Sequence, residues 1–481
     1  MLATALISWD ALLVAFAALG ELLAVLFVYR VLVRGGAPAS TVLWMVVILA
    51  APWLGLLLYY LLPRRLQLRR LHAVRQRGVR FRAGRERDGA GAAAVPQSCG
   101  GLRAFLAGAD SADLRADNEL RWLPSAEDFT DAAMRAIEAA EIEVDLLVYI
   151  FRADRSGARL LEVLAAAASR GVTVRLLYDS IGSFGLHDRD LVALRAASGR
   201  AVAFLPLLWK RRPFTVNLRN HRKLLLVDGK VGFVGGRNVG DEYFTDRVGR
   251  ERRWLDAMLQ IRGPSVAHLR EVFAEDWHTA TEEALPPLPA APPVSGGAAC
   301  AVGIVCSGPD REQSDLWFAF VQAIADAKQS VDLSSPYLVP PPTLLFTLQL
   351  AAARGVRVRI HTNGPKAEAA VLYHAQRSYY ERMLAGGIEI YETTADYNHA
   401  KVLVVDADVV IVGSANMDLR SAHLNFEIAA VALDAPELGR QVLATLDARI
   451  ADCRRLRAED LPSDPFWRAV DGFCGLLSPV L

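Results

Sequence analysis

One group of residues whose side chains could take part in catalysis occurs twice in the sequence at the same spacing. Each copy has a histidine, then a lysine two residues later, an aspartate seven later, two small residues from fourteen later and an asparagine seventeen later. The first copy consists of His221, Lys223, Asp228, Gly235, Gly236 and Asn238. The second copy consists of His399, Lys401, Asp406, Gly413, Ser414 and Asn416. Five matched offsets are hard to obtain by chance, so we predict a duplicated functional site.

These residue types suit the chemistry of a phosphodiester. A histidine and a lysine two residues apart on a β-strand point to the same side, so an imidazole and an ammonium group would reach one point. An imidazole can attack phosphorus or donate a proton, while ammonium and amide groups can bind phosphate oxygens. The turns at Gly236 and Ser414 would let the backbone approach the same anion. Two facing copies would form one site that needs no metal and no other cofactor.

The two motif aspartates receive a different interpretation. Asp228 and Asp406 follow their histidines by an odd number of residues, which places them on the opposite face of a regular strand. We count them with the catalytic motif, but we interpret them as structural, turn-forming or ion-paired groups rather than as direct proton acceptors.

The elements around the motif repeat in the same order. In the first half a predicted helix at 125–141 precedes an apolar strand at 144–151, and in the second half a helix at 315–328 precedes a strand at 331–338. Alternating helices and strands favour an α/β fold. We therefore predict two duplicated α/β sandwich units that pack pseudo-symmetrically.

The composition of the chain indicates where these units begin and end. The first unit is predicted over 121–283, with its motif at 216–243, and the second over 301–481, with its motif at 394–421. A proline-rich linker at 284–300 would separate them, because several prolines in succession favour a stiff, extended chain.

Two further carboxylates occupy equivalent positions when the repeats are aligned. Asp256 and Glu427 each enter an apolar strand, where an unpaired charge would be costly. We predict that each orients a catalytic histidine, with Glu427 beside His399 and Asp256 beside His221. Asp241 is the alternative partner for His221.

The hydrophobic excess of the chain lies at its N-terminus. Two apolar segments, about 9–30 and 41–62, are each long enough to cross a bilayer as a helix, and we predict that 1–63 forms a transmembrane hairpin. A basic juxtamembrane linker at 64–120 follows, and its arginines favour a cytoplasmic location for the rest of the chain. They would also contact anionic headgroups. Glu21, inside the first segment, receives no role.

The paired His-x-Lys-x4-Asp motifs resemble those of the phospholipase D superfamily, over roughly residues 120–455. The predicted hairpin, the segment that begins Asn416-Met417-Asp418 and the C-terminal Leu476-Leu477-Ser478-Pro479 are similar to the bacterial cardiolipin synthase branch. The resemblance implies two phospholipase D-like α/β units and a multi-pass protein of the bacterial inner membrane.

The same resemblance implies roles for the motif residues. His221 would attack phosphorus to form a phosphohistidine, and His399 would protonate the leaving alcohol; the residues themselves do not distinguish the two. The non-bridging oxygens would be held by four side chains, Lys223, Lys401, Asn238 and Asn416. No metal takes part in this mechanism.

The resemblance and the predicted hairpin together favour one reaction, in which two phosphatidylglycerols yield cardiolipin and glycerol. The alternatives are a membrane-anchored phospholipase D hydrolase and another phosphatidyl-transferring enzyme. A nuclease or other nucleic-acid-binding protein is disfavoured, because the net charge of the 481 residues is only +1 and the chain outside the arginine-rich linker has no broad cationic track. A non-enzymatic membrane scaffold is disfavoured because both motifs are intact.

Overall fold

The computed structural model describes residues 9–34, 38–61, 100–109, 114–206, 218–245, 253–289, 291–294, 300–311, 314–366 and 369–476. It divides into two compact units, Met1–Ala73 and Val74–Leu481. Most of the predicted basic linker and part of the predicted proline-rich linker lie outside the described residues.

The first unit is helical, and its second apolar segment differs from the prediction. Its helices are α1 (Trp9–Arg34), α2 (Pro38–Ala50) and α3 (Pro52–Leu61). The single helix predicted at 41–62 is two helices, because Pro52 has no N–H to donate and disfavours a helical conformation at the residue before it. None of the helices in the described part of the chain has the length and apolar character required to span a bilayer. The transmembrane hairpin stays a prediction.

The second unit alternates helices and strands. Its helices are α4 (Gly101–Gly108), α5 (Ala126–Glu138), α6 (Arg155–Ser169), α7 (Val192–Ala196), α8 (Asp241–Phe244), α9 (Ser265–Thr281), α10 (Asp315–Asp326), α11 (Pro342–Ala353), α12 (Ala370–Ala385), α13 (Leu419–His423), α14 (Pro436–Ala451) and α15 (Pro465–Leu476). Short 3-10 helices lie at Asp188–Leu191 and Ala458–Asp460.

The strands divide between the two halves of this unit. Those of the first half are β1 (Arg115–Leu123), β2 (Glu143–Val148), β3 (Thr173–Asp179), β4 (Arg200–Phe204), β5 (Arg219–Asn220), β6 (Leu224–Val227), β7 (Val231–Gly235), β8 (Trp254–Leu255) and β9 (Met258–Arg262). Those of the second half are β10 (Cys300–Ser307), β11 (Ser330–Ser334), β12 (Leu338–Val339), β13 (Arg357–Thr362), β14 (Glu389–Thr393), β15 (Tyr397–Asn398), β16 (Val402–Val405), β17 (Val409–Gly413), β18 (Met417–Asp418), β19 (Asn425–Leu433) and β20 (Cys453–Arg455).

The two halves share one sheet of sixteen strands. The order β1-β9-β7-β6-β2-β3-β4 in the first half is repeated as β10-β19-β17-β16-β11-β13-β14 in the second, and β20 follows β14. The halves join where β1 and β10 pair antiparallel, which satisfies backbone groups that two separate sheets would leave at their edges. The predicted α/β fold is confirmed, but the units form one continuous sheet.

The halves also bury a common apolar core. Leu224 of the first half, Val402 and Ile428 of the second and Trp277 of α9 belong to one cluster, and each is at most 1% exposed. Removal of such apolar surface from water stabilises a fold by roughly 25 cal/mol per Å². Neither half buries its share of this cluster without the other.

Helix starts follow local side-chain chemistry. The Ser125 hydroxyl accepts a hydrogen bond from the Asp128 N–H (2.9 Å) at the start of α5, and the Asp154 carboxylate accepts one from the Gly157 N–H (3.1 Å) at the start of α6. Such caps satisfy backbone donors that have no partner within the helix.

Candidate active site

His221 is positioned by a strand from the other half of the unit. Strand β5 pairs parallel with the start of β19, and the His221 N–H donates a hydrogen bond to the Phe426 carbonyl (2.9 Å). The next residue of β19 is Glu427. Its two carboxylate oxygens lie 3.0 Å from His221 Nδ1.

His399 is positioned by the mirror arrangement. Strand β15 of the second half pairs parallel with β8 of the first, and the His399 N–H donates to the Leu255 carbonyl (2.6 Å). Asp256 follows Leu255, and its Oδ2 lies 2.6 Å from His399 Nδ1.

The predicted pairing of carboxylates with histidines is therefore wrong. Glu427 binds His221 instead of His399, and Asp256 binds His399 instead of His221. Alignment of the repeats identifies both carboxylates, but it does not tell which half supplies the strand beside each histidine. The crossing arises because β5 and β15 each pair with a strand of the opposite half.

Asp241, the alternative partner for His221, has a different role. Its carboxylate accepts hydrogen bonds from the Ser156 backbone N–H (2.9 Å) and hydroxyl (2.6 Å). It therefore ties the start of α8 to the start of α6.

The carboxylates determine which ring nitrogen is available for chemistry. Each carboxylate accepts a hydrogen bond from Nδ1, which leaves Nε2 of His221 and of His399 as the unprotonated nitrogen of the neutral ring. Both histidines are buried, at 8% exposure. This is the tautomer that a nucleophile or general base at Nε2 requires.

The two motif lysines are buried beside the histidines. Lys223 Nζ donates to the His221 carbonyl (2.6 Å), and Lys401 Nζ donates to the His399 carbonyl (2.5 Å). Lys401 also lowers the pKa of His221, and Lys223 also lowers the pKa of His399, through space. The charges of one motif thus act on the histidine of the other, and the two motifs form one electrostatic cluster.

Burial shifts the pKa of both imidazoles. It lowers the pKa of His221 from 6.5 to about 4, although the Glu427 carboxylate opposes the shift. It lowers the pKa of His399 to about 3, with Lys401 adding to the shift and Asp256 opposing it. A bound phosphodiester anion would raise both pKa values, because it adds negative charge beside the rings.

The small residues predicted to bind the phosphate lie beside the two carboxylates. The Ser414 hydroxyl donates to Glu427 Oε2 (2.5 Å), and a side chain at Gly236 would place its Cβ 2.2 Å from Asp256 Oδ1. Their backbone N–H groups donate to the carbonyls of Ile428 (2.9 Å) and Ala257 (3.1 Å). Gly236 and Ser414 therefore position the carboxylates, and their amides are already engaged within the sheet.

The motif asparagines are buried and oriented by hydrogen bonds. Asn238 Oδ1 accepts from the Ile150 N–H (3.1 Å). The Asn416 N–H donates to the Ser421 hydroxyl (3.2 Å), and a hydrogen bond from the Asn416 side chain lowers the pKa of Asp418, opposing the increase caused by burial. Both asparagines follow the second strand of their motif by three residues.

The motif aspartates lie at the far end of the motif strands. Asp228 accepts hydrogen bonds from three consecutive backbone N–H groups at 141–143, and Asp406 does the same at 328–330. Each is separated from its lysine by a four-residue strand, which spans about 13 Å. This placement agrees with the structural interpretation and keeps both carboxylates out of contact with the histidines.

Sequence reasoning missed two residues that hold the histidine segments. Asp179 Oδ2 accepts from the Asn220 N–H (3.0 Å), and Asn363 Oδ1 accepts from the Asn398 N–H (2.8 Å), one residue before each histidine. Both stand eight residues after the matched glycines Gly171 and Gly355. Aligning the repeats on these glycines would therefore have identified Asp179 and Asn363 as an equivalent pair.

Aromatic rings enclose the two histidines unequally. The Tyr149 ring lies 4.9 Å from the His221 ring and 5.4 Å from Lys223 Nζ. Three rings surround His399, with centroid distances of 5.6 Å for Tyr243, 5.9 Å for Trp254 and 6.2 Å for Tyr397. His399 is therefore packed against more aromatic rings than the single tyrosine that contacts His221.

In the part of the chain that the structure describes, no three histidine, cysteine or carboxylate side chains are grouped so that they could hold a metal ion. The expectation that the reaction needs no metal remains a prediction.

Comparison with known proteins identifies relatives over both halves. Residues 133–277 and 320–450 match the family described as "Cardiolipin synthase, PLD-like domain". A cardiolipin synthase of Geobacillus sp. (strain WCH70) is 32% identical over 464 residues, 92% of this chain and 89% of that protein. Cardiolipin synthase A of Pseudomonas aeruginosa (strain LESB58) is 39% identical over 346 residues, 72% and 69% of the two chains.

A solved structure supports the fold. The crystal structure of phosphatidylserine synthase from Haemophilus influenzae Rd KW20 superposes with a TM-score of 0.57 at 14% identity, over 75% of this chain and 95% of that one. At this identity the likeness concerns the fold alone.

Proposed function

Because the chain belongs to the cardiolipin synthase family of phospholipase D-like enzymes, we propose that it transfers a phosphatidyl group from one phosphatidylglycerol to another and releases glycerol. The relatives' names supply the product class. The crossed pair of histidine–carboxylate contacts, which brings one imidazole from each half into one electrostatic cluster, is the observation that carries the proposal.

In the first step, Nε2 of neutral His221 attacks the phosphorus of the donor lipid. The bond from phosphorus to the glycerol oxygen breaks, and protonated His399 donates its proton to that oxygen. The products are a phosphatidyl group on His221 and free glycerol. Glu427 stabilises the positive charge on the substituted ring, and Asp256 stabilises the imidazolium form of His399.

In the second step, neutral His399 accepts the proton of a hydroxyl group on the acceptor lipid, and that oxygen attacks phosphorus. The bond from phosphorus to His221 Nε2 breaks, and both rings return to their starting states. The energy of the donor bond is conserved in the P–N bond, so no nucleotide is consumed. The aromatic rings packed around His399 would help to exclude water, which favours a lipid hydroxyl as the acceptor.

The lysines and asparagines would bind the non-bridging phosphate oxygens. Each motif lysine donates to the carbonyl of its own histidine, which holds the ammonium group beside the imidazole. These donors lie in a buried site, where they stabilise negative charge more strongly than in water. We expect the loss of either ammonium group to raise the barrier by about 2.7–4 kcal/mol.

A lipid substrate places the enzyme at a bilayer. We therefore propose that the protein is located at an anionic cell membrane and that its N-terminal apolar segments attach it there. The distribution of arginines predicts that the catalytic part lies on the cytoplasmic side.

The test uses the purified full chain with labelled phosphatidylglycerol in liposomes. We expect cardiolipin and glycerol in equal amounts, and no product from His221→Ala or His399→Ala. His278→Gln, a change on α9 outside the site, is the matched control and should retain activity. Phosphatidic acid as the only lipid product would contradict the proposal and indicate hydrolysis.

Acid quenching during turnover tests the assignment of the nucleophile. We expect labelled phosphate to be trapped on His221 and to be absent from His221→Ala. Label on His399 would reverse the two roles while leaving the reaction class intact.

A further inference from the structure

Helix α15 exposes the residues that a surface helix ordinarily buries. Phe466 and Phe473 are each 65% exposed, and Leu476 is 78% exposed. A helix on a soluble surface turns its apolar stripe to the protein and its polar residues to water. Here the large apolar side chains point outward.

The acidic residue of the helix, Asp471, points inward and fixes the orientation of the helix. Asp471 is 5% exposed, and its carboxylate oxygens lie 2.8 Å from His374 Nδ1 and 2.8 Å from Arg377 Nε. Cys474, on the same side, packs against Val339 and Ala375. The outward position of the phenylalanines thus follows from an ion-paired and packed inner face.

The outward face carries no charge. Phe466, Ala469, Phe473 and Leu476 follow one another at spacings of three and four residues and share one side of the helix. Residues 477–481, which follow the helix, also contain no charged side chain. Arg468 lies at the flank, where it pairs with Glu381 (3.0 Å).

The helix that carries this face is connected to the second motif through three elements, α12, β12 and β18. Helix α15 packs on α12, and α12 contacts β12. Strand β12 pairs with β18, whose first residue follows Asn416 of the second motif. Helix α15 is therefore linked by packing to the segment that carries the second motif.

An exposed apolar residue borders the site in the first half as well. Phe184 is 83% exposed, in the loop after β3. The Ser183 hydroxyl donates to the Tyr149 carbonyl (3.0 Å) and accepts from the Phe151 N–H (2.9 Å), and Tyr149 contacts His221. Phe184 thus adjoins a residue whose side chain is hydrogen-bonded to the backbone of the tyrosine beside His221.

We propose that the outward face of α15 binds the surface of a phospholipid bilayer, with Phe466, Phe473 and Leu476 at the boundary between headgroups and acyl chains. The choice of a bilayer rests on the proposed function: a lipid whose phosphodiester reaches a buried histidine leaves its acyl chains at the rim of the site. Aromatic and aliphatic residues on one helix face are the composition that binds this boundary.

The first test measures contact without requiring turnover. The full chain carrying Phe473→Trp is reconstituted in vesicles of phosphatidylglycerol and phosphatidylcholine whose acyl chains are brominated near the headgroup. We expect the added tryptophan to be quenched. The matched control is Phe346→Trp on α11, where the native phenylalanine is also 65% exposed, and its added fluorescence should remain.

An unquenched tryptophan at position 473 would overturn the proposal. That result would mean that a second copy of the chain, its N-terminal unit or water covers the face. Because quenching is independent of catalysis, it reports on α15 even if the enzyme proves to catalyse a different reaction.

The second test measures the consequence for the reaction. Phe466→Ser combined with Phe473→Ser should lower turnover of phosphatidylglycerol in vesicles by about tenfold or more, since each buried phenylalanine contributes roughly that factor to partitioning. Turnover of short-chain phosphatidylglycerol in detergent micelles should change less than about twofold, because the site itself is intact. Equal losses in both assays would contradict a role in membrane binding.

Discussion

At the scale of single residues, the two imidazoles of the site are neutral in the empty enzyme near pH 7. Their pKa values, about 4 for His221 and about 3 for His399, lie below the ordinary value of 6.5 because both rings are buried. The proposed mechanism needs one protonated ring, so in that mechanism the anionic substrate has to supply part of the stabilisation that burial removes. Binding of the phosphodiester and protonation of His399 are therefore linked.

The lowered pKa values predict how stability depends on pH. In the unfolded chain each histidine binds a proton near pH 6.5, whereas in the folded chain each stays neutral to about pH 4 or below. The unfolded state thus binds more protons in this window, and the free energy of unfolding should fall as pH decreases from about 6.5. Buried His361, whose pKa is about 3, acts in the same direction.

Urea denaturation between pH 8 and pH 5 measures this effect. His221→Gln and His399→Gln should each reduce the slope of unfolding free energy against pH. An unaltered slope in the two site variants would mean that their rings are already charged in the folded enzyme.

A second prediction at this scale concerns the support of Asp256. The substitution Gly236→Ala would place a methyl group 2.2 Å from Asp256 Oδ1, so the carboxylate must move away from His399. We expect a loss of turnover of about 10²-fold or more, because displacement of a catalytic group by about 1 Å has effects of that size. Gly108→Ala is the control, since nothing lies within 4 Å of a Cβ there. Equal activity of the two variants would contradict the assigned role of Gly236.

At the scale of elements, the motif strands separate a catalytic end from a structural end. Lys223 and Asp228 flank the same short strand, yet only the lysine adjoins a histidine. The alternation of side chains along a strand predicts this division, so the structural interpretation of the aspartates was within reach of the sequence. The crossed strand pairing was not, because β5 and β15 have only two residues each and no pattern that identifies their partners.

The structural role of the motif aspartates can be separated from catalysis. Asp228→Asn keeps a residue that tolerates the positive φ of 54° at this turn, but it loses the charge that binds three backbone N–H groups. We expect a loss of about 1.5–3 kcal/mol in the free energy of unfolding, with turnover per folded molecule close to that of the native enzyme. Asp406→Asn should behave alike.

Thermal unfolding combined with active-site titration provides the measurement. A turnover loss comparable with that of Lys223→Ala, at unchanged stability, would place Asp228 in the chemistry instead.

At the scale of the whole molecule, duplication has produced one site instead of two. The repeated motif with its two lysines could be predicted from matched offsets, and the order of elements and the two buried carboxylates from the alignment of the repeats. The continuous sheet could not, because the pairing of β1 with β10 depends on contacts between residues far apart in the chain. The break between α2 and α3, in contrast, could have been predicted, because the effect of Pro52 on the residue before it is local.

The shared sheet and shared core predict cooperative unfolding of Val74–Leu481. Leu224 and Val402 belong to one buried cluster although they lie in different halves, so loss of one half exposes the core of the other. Calorimetry should show a single transition for this unit, with equal calorimetric and van't Hoff enthalpies. Two separate transitions would indicate that the halves are independently stable.

The central claim is that each histidine is oriented by the carboxylate of the opposite half, and titration of the imidazole ¹⁵N resonances tests it most directly. In Glu427→Gln the pKa of His221 should fall, because the carboxylate that raises it is gone, while the pKa of His399 should stay nearly constant. Asp256→Asn should produce the reverse. A fall at His399 in Glu427→Gln, with His221 unchanged, would contradict the account.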